Sequence, residues 1–420
     1  MKLYRTIGDI RGLLRNQDVR EQAAAFGSQL VLNLSVFGIM LAASLLLEAT
    51  EFARLSLVNG YIMMLAMVLD LGLNQTCLKL SIERNEPRFV DFNLTVKVAL
   101  FGGAIVVLGL LAALGIGLVE GVVLASAASV ALWTSARVLE QYHRRFWRYA
   151  ALNLALAASR ILFAGSALIS GRWIVVAIML HIAAQLPVHI VTLKQMLAAR
   201  HTWLVWSPPG EKGILRRLAP GVFLNGVLYT SLPVISQTAI FLKDDAIHAA
   251  AFGIVLLFLG PLSLVVNTLR IYIMPQVLSA NLASVNAFGL GRGSMHILAG
   301  AFGGLFLLSI IPISFVLVWV FGARYPQIGT FFAIYFGAHC ITDAVGLYNM
   351  RALRENLIWV SLAVAALRVA FTAPILLLPQ VSALTIVAWS AAVLVIGELL
   401  LAWLLTRFGR DWEERRRRLQ

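Results

Sequence analysis

Long apolar segments recur along almost the whole chain, from Phe26 to Phe408, and they constrain the fold more than any other feature. A helix needs about 20 consecutive apolar residues to cross the roughly 30 Å hydrocarbon core of a bilayer, because it rises 1.5 Å per residue. Hydropathy indicates about twelve segments of this length, with no soluble domain between them. The sequence therefore predicts an all-α polytopic membrane protein with about twelve transmembrane helices.

The predicted segments fall into two sets of six on either side of a loop that contains Pro208, Pro209 and Gly210. The predicted helices cover residues 26–47, 55–79, 95–115, 118–139, 149–170, 173–193, 219–242, 246–269, 297–321, 327–350, 357–378 and 381–406. We predict a cytoplasmic arm (1–25), an N-lobe (26–196), a cytoplasmic linker (197–217), a C-lobe (218–406) and a basic cytoplasmic tail (407–420).

The composition agrees with lipid as the surrounding solvent. Apolar residues make up 60% of the chain and charged residues only 13%, whereas soluble domains are about half apolar and a quarter charged. The formal net charge of +14 would suggest nucleic acid as a partner if the protein were soluble. In a membrane protein, the distribution of these charges must be considered first.

Most of the 34 Lys and Arg residues lie in the N-terminal arm, alternate loops, the central loop and the tail. These parts share one side of the membrane if both termini do, and basic residues gather on the cytoplasmic side. We therefore expect an inner or plasma membrane as the location, with both termini in the cytoplasm and no nucleic acid bound. The first 22 residues show no signal-peptide cleavage pattern, so the first helix is expected to act as the membrane signal.

A short internal match indicates a duplication. Residues 154–163 read LALAASRILF and residues 362–371 read LAVAALRVAF, 208 positions later, and both contain an arginine in an apolar segment. Each half would begin inside and contain an even number of helices. Any repeat is therefore predicted to be parallel, about an axis along the membrane normal.

The two matched arginines, Arg160 and Arg368, are the strongest candidate site residues. An arginine at the centre of a spanning helix costs about 2.5–3.5 kcal/mol on insertion scales, so something should offset that cost. One interpretation places both guanidinium groups in a hydrated cavity, where they bind the phosphate oxygens of a substrate. In the other, each pairs with a buried acid such as Glu398 or Asp343 and holds helices together. We favour the first, because the two positions are equivalent.

Three further residues are candidates for ion coupling. His339 and Asp343 lie four residues apart, so they share one face of the tenth predicted helix. They could form a proton site, but hydrogen bonding between helices is an equal alternative. Glu398 lies towards the inner end of the last helix, where water could reach it.

Enzyme motifs are absent from the sequence. HExxH, GxSxG and acidic metal clusters do not occur, and Cys77 and Cys340 belong to no metal-binding pattern. The predicted outside loops are too short for a catalytic domain. We therefore expect a protein that is not an enzyme, with no cofactor and no metal.

Three stretches resemble the polysaccharide-exporter (Wzx-type O-antigen flippase) branch of the MOP, or MATE-like, superfamily. EFARLSLVNGYIMMLAMVLDLGLNQTCLKL (51–80) is similar to its second-helix signature, MPQVLSA (274–280) to the proline segment after helix 8, and VFGARYPQIGTFFAIYF (320–336) to its helix 9–10 junction. The similarity in architecture covers essentially the whole chain, and the motifs cover about 60 residues.

This resemblance implies two pseudo-symmetric six-helix lobes and alternating access. The implied substrate is a polyprenyl-pyrophosphate-linked oligosaccharide, and the implied partners are membrane lipid and other polysaccharide-assembly proteins. Arg160 and Arg368 would then be the basic cavity residues typical of the branch. Relatives that move cell-wall precursor lipid have fourteen helices rather than twelve. Drug exporters of the superfamily carry an acidic residue in helix 1, which is missing here.

Transport of a lipid-linked saccharide is therefore the function that the sequence favours. The first alternative is a MATE-type drug or metabolite antiporter that couples through His339, Asp343 or Glu398. A membrane-embedded polymerase or glycosyltransferase is a second alternative, which the short outside loops disfavour.

Overall fold

The computed structural model describes residues 17–198, 212–261, 292–349 and 358–419, and they are almost entirely helical. The predicted arm at 1–25 and linker at 197–217 lie largely outside these ranges, and the MPQVLSA segment at 274–280 lies wholly outside them.

The described helices, in chain order, are α1 (Gln17–Leu46), α2 (Ala49–Asp70), α3 (Leu73–Arg84), α4 (Arg88–Leu114), α5 (Leu118–Tyr142), α6 (Phe146–Ala167), α7 (Trp173–His181), α8 (Leu186–Ala198), α9 (Lys212–Lys243), α10 (Ala246–Pro261), α11 (Arg292–Phe321), α12 (Ile328–Asn349), α13 (Ile358–Thr372) and α14 (Ala383–Leu419). The last helix continues past the predicted end at 406, because the Arg, Glu and Leu residues of the tail are good helix formers.

The prediction of a polytopic all-α membrane protein is confirmed. Within the described ranges, ten helices are long and apolar enough to cross a membrane, and α7 and α8 together make one of these spans. Two shorter apolar helices, Ala246–Pro261 and Leu307–Phe321, coincide with the eighth and ninth predicted segments. Large apolar side chains such as Ile311, Phe315 and Trp319 point outward, as expected for surfaces that face lipid.

The prediction of one helix over 55–79 is wrong. The helix begins at Ala49 and ends at Asp70, and α3 starts only after a turn. Leu71 and Gly72 have φ values of 54° and 67°, and this left-handed backbone ends a right-handed helix. At Gly72 the backbone also passes close to Ala219 and Phe223, which leaves no room for a side chain. The sequence did carry a signal for this break, because the polar residues Asp70, Asn74 and Gln75 stand on both sides of Leu71 and Gly72.

The chain forms two compact units. The first comprises residues 1–39 and 73–217, and the second comprises residues 40–72 and 218–420. Helix α2 therefore belongs to the second unit, whereas the division made from the sequence places it in the N-lobe. The pseudo-symmetric arrangement of two six-helix lobes stays a prediction.

In the first unit, α6 packs against α5, α7 and α8. The hydrophobic core of this unit includes Leu32, Trp133, Leu152, Leu156 and Val188. In the second unit, α12 packs against α11 and α14, and α14 also packs against α13. A cluster of Val360, Val364, Leu401 and Leu405 joins these last two helices. The candidate site residues lie on α6 in the first unit and on α12, α13 and α14 in the second.

Candidate functional site

The two helices that carry the matched arginines bury side chains at equivalent positions, 208 residues apart. The buried pairs include Leu156 and Val364, Ala157 and Ala365, Arg160 and Arg368, and Ala164 and Thr372. Each α-helix is followed by a short 3₁₀ turn, Leu168–Ser170 after α6 and Ala373–Leu376 after α13. Both arginines lie near the middle of their candidate spans, Phe146–Ser170 and Trp359–Leu376. The structural correspondence therefore extends beyond the ten residues that match in sequence.

Arg368 forms a buried ion pair with Glu398. Its Nη2 donates to Oε2 of Glu398 at 2.6 Å, and the two side chains are only 5% and 11% exposed. The pair joins α13 to α14 across 30 residues of sequence. Arg368 is therefore paired with a buried acid, as in the second of the two interpretations made from the sequence. Nε of the same guanidinium is buried without a hydrogen-bond partner.

Gly397 makes room for this arginine. A β-carbon at Gly397 would stand 2.8 Å from Cγ and 3.0 Å from Cδ of Arg368, well inside contact distance. The side chain of Arg368 thus lies directly on the backbone of α14 and reaches Glu398 beyond it. Sequence reasoning missed this glycine, although its position beside the acidic residue was visible in the sequence.

His339 and Asp343, on α12, belong to the same unit as the ion pair. His339 is half-buried and its ring lies 5.0 Å from that of Tyr335, while Asp343 is buried. Arg368 is within electrostatic reach of His339. The structure therefore brings His339 and Glu398 close to Arg368, and it places Asp343 one turn further along α12.

Arg160 has a different environment from Arg368. It is buried in the first unit, and no carboxylate lies within ion-pair distance of it among the described residues. Its Nε is buried without a hydrogen-bond partner. The charged neighbour within electrostatic reach is another arginine, Arg137, and His181 also lies nearby. Two basic groups thus share this part of the unit.

Arg160 lies at one end of a row of polar residues on the buried face of α6. Tyr149, Asn153 and Arg160 follow at spacings of four and seven residues, which places them on one face. Asn153 donates to the Ser28 hydroxyl at 3.0 Å. Arg137 donates to the Tyr149 hydroxyl, and its guanidinium carbon lies 4.9 Å from the centre of that ring. Sequence reasoning did not connect Arg137 with Arg160, because Arg137 lies near the end of the helix predicted over 118–139 and was not among the candidate residues.

The helix that follows is interrupted close to this row. Between α7 and α8, residues Ala183–Gln185 form a 3₁₀ turn. Ser129 donates its hydroxyl hydrogen to Oε1 of Gln185 at 2.9 Å, and it also lies 2.8 Å from Nε2 of His189. A hydroxyl has one hydrogen, so Nε2 of His189 must be the donor of the second bond. The four-residue spacing of His181, Gln185 and His189 was the sequence signal for this network.

Among the described residues, one group of three side chains has a spacing that could hold a cation. The ligand atoms of Asp244, Asp245 and His248 lie within 4.8 Å of one another. These acids have structural roles, since Asp244 accepts from the backbone N–H of Ala383 at 2.6 Å and Asp245 accepts from that of His248 at 2.7 Å. The cluster therefore caps the start of α14 and the first turn of α10.

Solved structures with the same architecture are transporters of the MATE family in the MOP superfamily. A Vibrio cholerae MATE transporter, VcmN, is 16% identical, with 93% of this chain and 96% of that chain covered and a TM-score of 0.62. The outward-facing form of a multidrug resistance MATE transporter is 13% identical, with coverages of 95% and 96% and a TM-score of 0.60. At such identities the likeness shows the fold and not the function.

A third structure, a MOP superfamily transporter from Pyrococcus furiosus, is 12% identical over 95% of this chain and 96% of that chain, with a TM-score of 0.58. No protein-family model matches the sequence, and no curated protein matches it. The resemblance to the MOP superfamily is thus confirmed at the level of the fold, and the polysaccharide-exporter branch stays a prediction.

Proposed function

We propose that the protein is a transporter that carries a lipid-linked saccharide with an anionic, polyprenyl-pyrophosphate type of linker across the bacterial inner membrane. The observation that supports this most is Arg160, a buried mid-span guanidinium with no carboxylate beside it among the described residues. A charge in this place is costly unless a partner offsets it. A phosphate group of the substrate would be such a partner, and the planar fork of arginine suits phosphate oxygens.

The fold supports transport. The neighbours that cover more than nine-tenths of this chain are transporters, and two are described as inward-facing and outward-facing conformations of a multidrug resistance transporter. Alternating access between two such forms would carry a headgroup across the membrane while its lipid tail stays in the bilayer. This function requires no chemical step, so we propose no enzymatic activity.

An anionic substrate agrees with the charge inside the spans. The apolar part of α1, Ala23–Leu46, contains no acidic residue, whereas Arg160 and Arg368 are both buried in mid-span. The Pyrococcus furiosus neighbour is described as having a binding pocket of reverse polarity that suggests a different function. The corresponding feature here is Arg160, a buried basic group with no carboxylate beside it among the described residues. The saccharide itself is supported by the sequence motifs at 51–80 and 320–336.

The proposed orientation also favours export. With both termini in the cytoplasm, an inside-negative potential favours outward movement of an anion by about 2.3 kcal/mol per charge per 100 mV. Export of a charged headgroup could therefore proceed without a coupling ion.

A cation-coupled drug or metabolite antiporter is the second candidate. The description of two neighbours as multidrug resistance transporters favours it, as does the presence of the buried acids Asp343 and Glu398 in the second unit. An acid that binds a cationic drug and a proton in turn would serve such exchange. The pairing of Glu398 with Arg368 argues against this role for Glu398, because its charge is already compensated.

Purified protein in vesicles, with undecaprenyl-pyrophosphate-linked oligosaccharide on one side, tests the proposal. A lectin that cannot cross the membrane reports the sugar that has moved. We expect Arg160→Ala to lower the rate at least tenfold, and Arg160→Lys to keep part of it because the charge remains without the fork. Arg172→Ala, a change at an exposed arginine, is the matched control.

Wild-type movement of the saccharide in well-folded Arg160→Ala protein would remove Arg160 as the phosphate-binding residue. The proposed function itself is overturned if the wild-type protein moves no saccharide and instead takes up a cationic dye such as ethidium in response to a proton gradient. The second result would establish the antiporter instead.

A further inference from the structure

We infer that Glu398 is a proton site linked to anion binding at Arg368: an anionic group that takes the guanidinium displaces Glu398, and Glu398 then accepts a proton. This inference rests on the proposed function in one respect, that the substrate is an anion. It goes further by assigning a proton to each anion bound at this place.

The ion pair already has the form of an occupied anion site. Oε2 of Glu398 is a carboxylate oxygen 2.6 Å from Nη2 of Arg368, which is where a phosphate oxygen would lie. A guanidinium has five N–H donors, and Glu398 accepts from Nη2, so Arg368 can bind more than the single oxygen it holds. A phosphate offers several oxygens and can accept from two of these donors at once.

The first unit shows that an arginine at this position does not require a carboxylate. At the 208-residue spacing, Arg160 corresponds to Arg368 and Ile190 corresponds to Glu398. Arg160 is as deeply buried, yet no carboxylate lies within ion-pair distance of it among the described residues. The carboxylate therefore distinguishes the second unit from the first, and among the described residues only Arg368 of the two arginines has an acid that an anion could displace.

The two states of the pair differ in charge. In the absence of ligand, the carboxylate and the guanidinium neutralise each other. When a ligand anion binds Arg368, an ionised Glu398 would be a second negative charge beside it, in a region bounded by the apolar cluster of Val364 and Leu401. A second negative charge there is unfavourable, and a proton from water removes it. Proton uptake by Glu398 therefore accompanies release of the arginine.

The described helices that pack on α14 contribute other titratable groups around Glu398. Helix α13 contributes Arg368, and α12 contributes Tyr335, His339, Cys340 and Asp343. Helix α9, which touches α14 through the 2.7 Å contact of Ser236 with Ser390, contributes Tyr229 near Tyr335. Of these, Asp343 is the other buried acid, and it provides a control at a similar depth in the same unit.

Linkage gives this inference a quantitative form. If one proton is taken up with each anion, the affinity for the anion rises as the pH falls, by up to about tenfold per pH unit. The reciprocal also holds, so that saturating anion increases the affinity of Glu398 for its proton by the same factor. A glutamine at 398 carries no charge and does not titrate, so it removes both effects.

Binding of farnesyl pyrophosphate to the purified full-length protein, measured from pH 5.5 to 8, tests the inference. We compare the wild type with Glu398→Gln, Arg368→Gln and the control Asp343→Asn, because titration of the probe itself is common to all four. We expect Glu398→Gln to bind at least tenfold more tightly than the wild type at pH 8 and to lose the additional pH dependence. Arg368→Gln should bind weakly at every pH, and Asp343→Asn should keep the wild-type slope.

The inference is overturned if Glu398→Gln keeps the wild-type slope, binds less tightly at pH 8, or if the wild type does not bind the probe within this range. A pH slope that is lost in Asp343→Asn and kept in Glu398→Gln would move the proton to Asp343 and also overturn it. The proposed function fails separately, if the wild-type protein moves no saccharide in the vesicle assay. Saccharide transport without this pH dependence would leave the function standing and remove only the proton site.

Discussion

Arg368 lies against the backbone of Gly397, one residue before the glutamate to which it donates its hydrogen bond. The glycine and the acid act together, since the first lets the arginine approach α14 closely and the second compensates its charge. The arrangement ties α13 to α14 near the middle of the candidate span of α13. Each of the two spans contains no other charged residue, so changes there should have measurable consequences.

Substitution of Gly397 by alanine should displace Arg368. A β-carbon would overlap the Arg368 side chain, whose atoms Cγ and Cδ lie within 3.0 Å of its position. We expect a loss of about 1–3 kcal/mol of stability, typical of overpacking, measured by thermal unfolding in detergent. Gly165→Ala on α6 is the control, because nothing lies within 4 Å of its β-carbon. Equal melting temperatures for the two variants would contradict the close approach.

Removal of the acid alone should cost more than removal of the pair. Glu398→Ala leaves Arg368 buried and uncompensated, and loss of one partner of a buried ion pair costs about 3–5 kcal/mol. In the double variant with Arg368→Met and Glu398→Leu, both charges are gone, and most of the stability should return. Unfolding measurements on the two variants give this comparison. A double variant no more stable than Glu398→Ala would show that the pair does not determine the packing of α13 on α14.

The turn after α2 should tolerate nothing larger than glycine. Gly72 has a φ of 67°, and a β-carbon there would lie 2.9 Å from the backbone nitrogen of Phe223 and closer still to the carbonyl oxygen of Ala219. Gly72→Ala should therefore lose both conformational energy and packing. Gly115 has the same φ and open space around it, so Gly115→Ala should lose only about 1 kcal/mol. Similar losses in the two variants would place the cost in the backbone angle alone.

The hydroxyl of Ser129 should stabilise the first unit. It bonds both Gln185 and His189 at the interruption between α7 and α8. Ser129→Ala leaves the buried Oε1 of Gln185 without this donor, and such a loss costs about 1–3 kcal/mol. Ser166→Ala, at an exposed serine bonded only to its own helix, is the control. An unchanged melting temperature in Ser129→Ala would show that the network does not support the interrupted helix.

The orientation of the chain can be tested with single cysteines. Both native cysteines, Cys77 and Cys340, are buried, and variants lacking them provide the background. We expect a maleimide that cannot cross the membrane to label Arg172→Cys in intact cells and to label Arg84→Cys only after lysis. Both arginines are exposed, so the comparison reports the side of the membrane. The opposite pattern would invert the predicted topology.

The transmembrane spans and the matched pair of arginines could be predicted from the sequence alone, through hydropathy and local repetition. The approximate position of the spans follows from runs of about 20 apolar residues, because lipid requires backbone hydrogen bonds to be made within the helix. Ten of the twelve predicted segments are candidate spans among the described residues, and the other two are shorter apolar helices there. The equivalence of Arg160 and Arg368 was also visible, since both lie in ten-residue segments that are identical at six positions. These are properties of neighbouring positions along the chain.

Only the tertiary structure decided which partner each arginine has. The acid that compensates Arg368 lies 30 residues away on another helix, and Asn153 finds Ser28 at a separation of 125 residues. Such contacts depend on how each helix is rotated about its axis and on how closely two backbones approach. Periodicity within one helix does not contain that information. Two arginines that are equivalent in sequence therefore have different surroundings, one with a carboxylate and one, among the described residues, without.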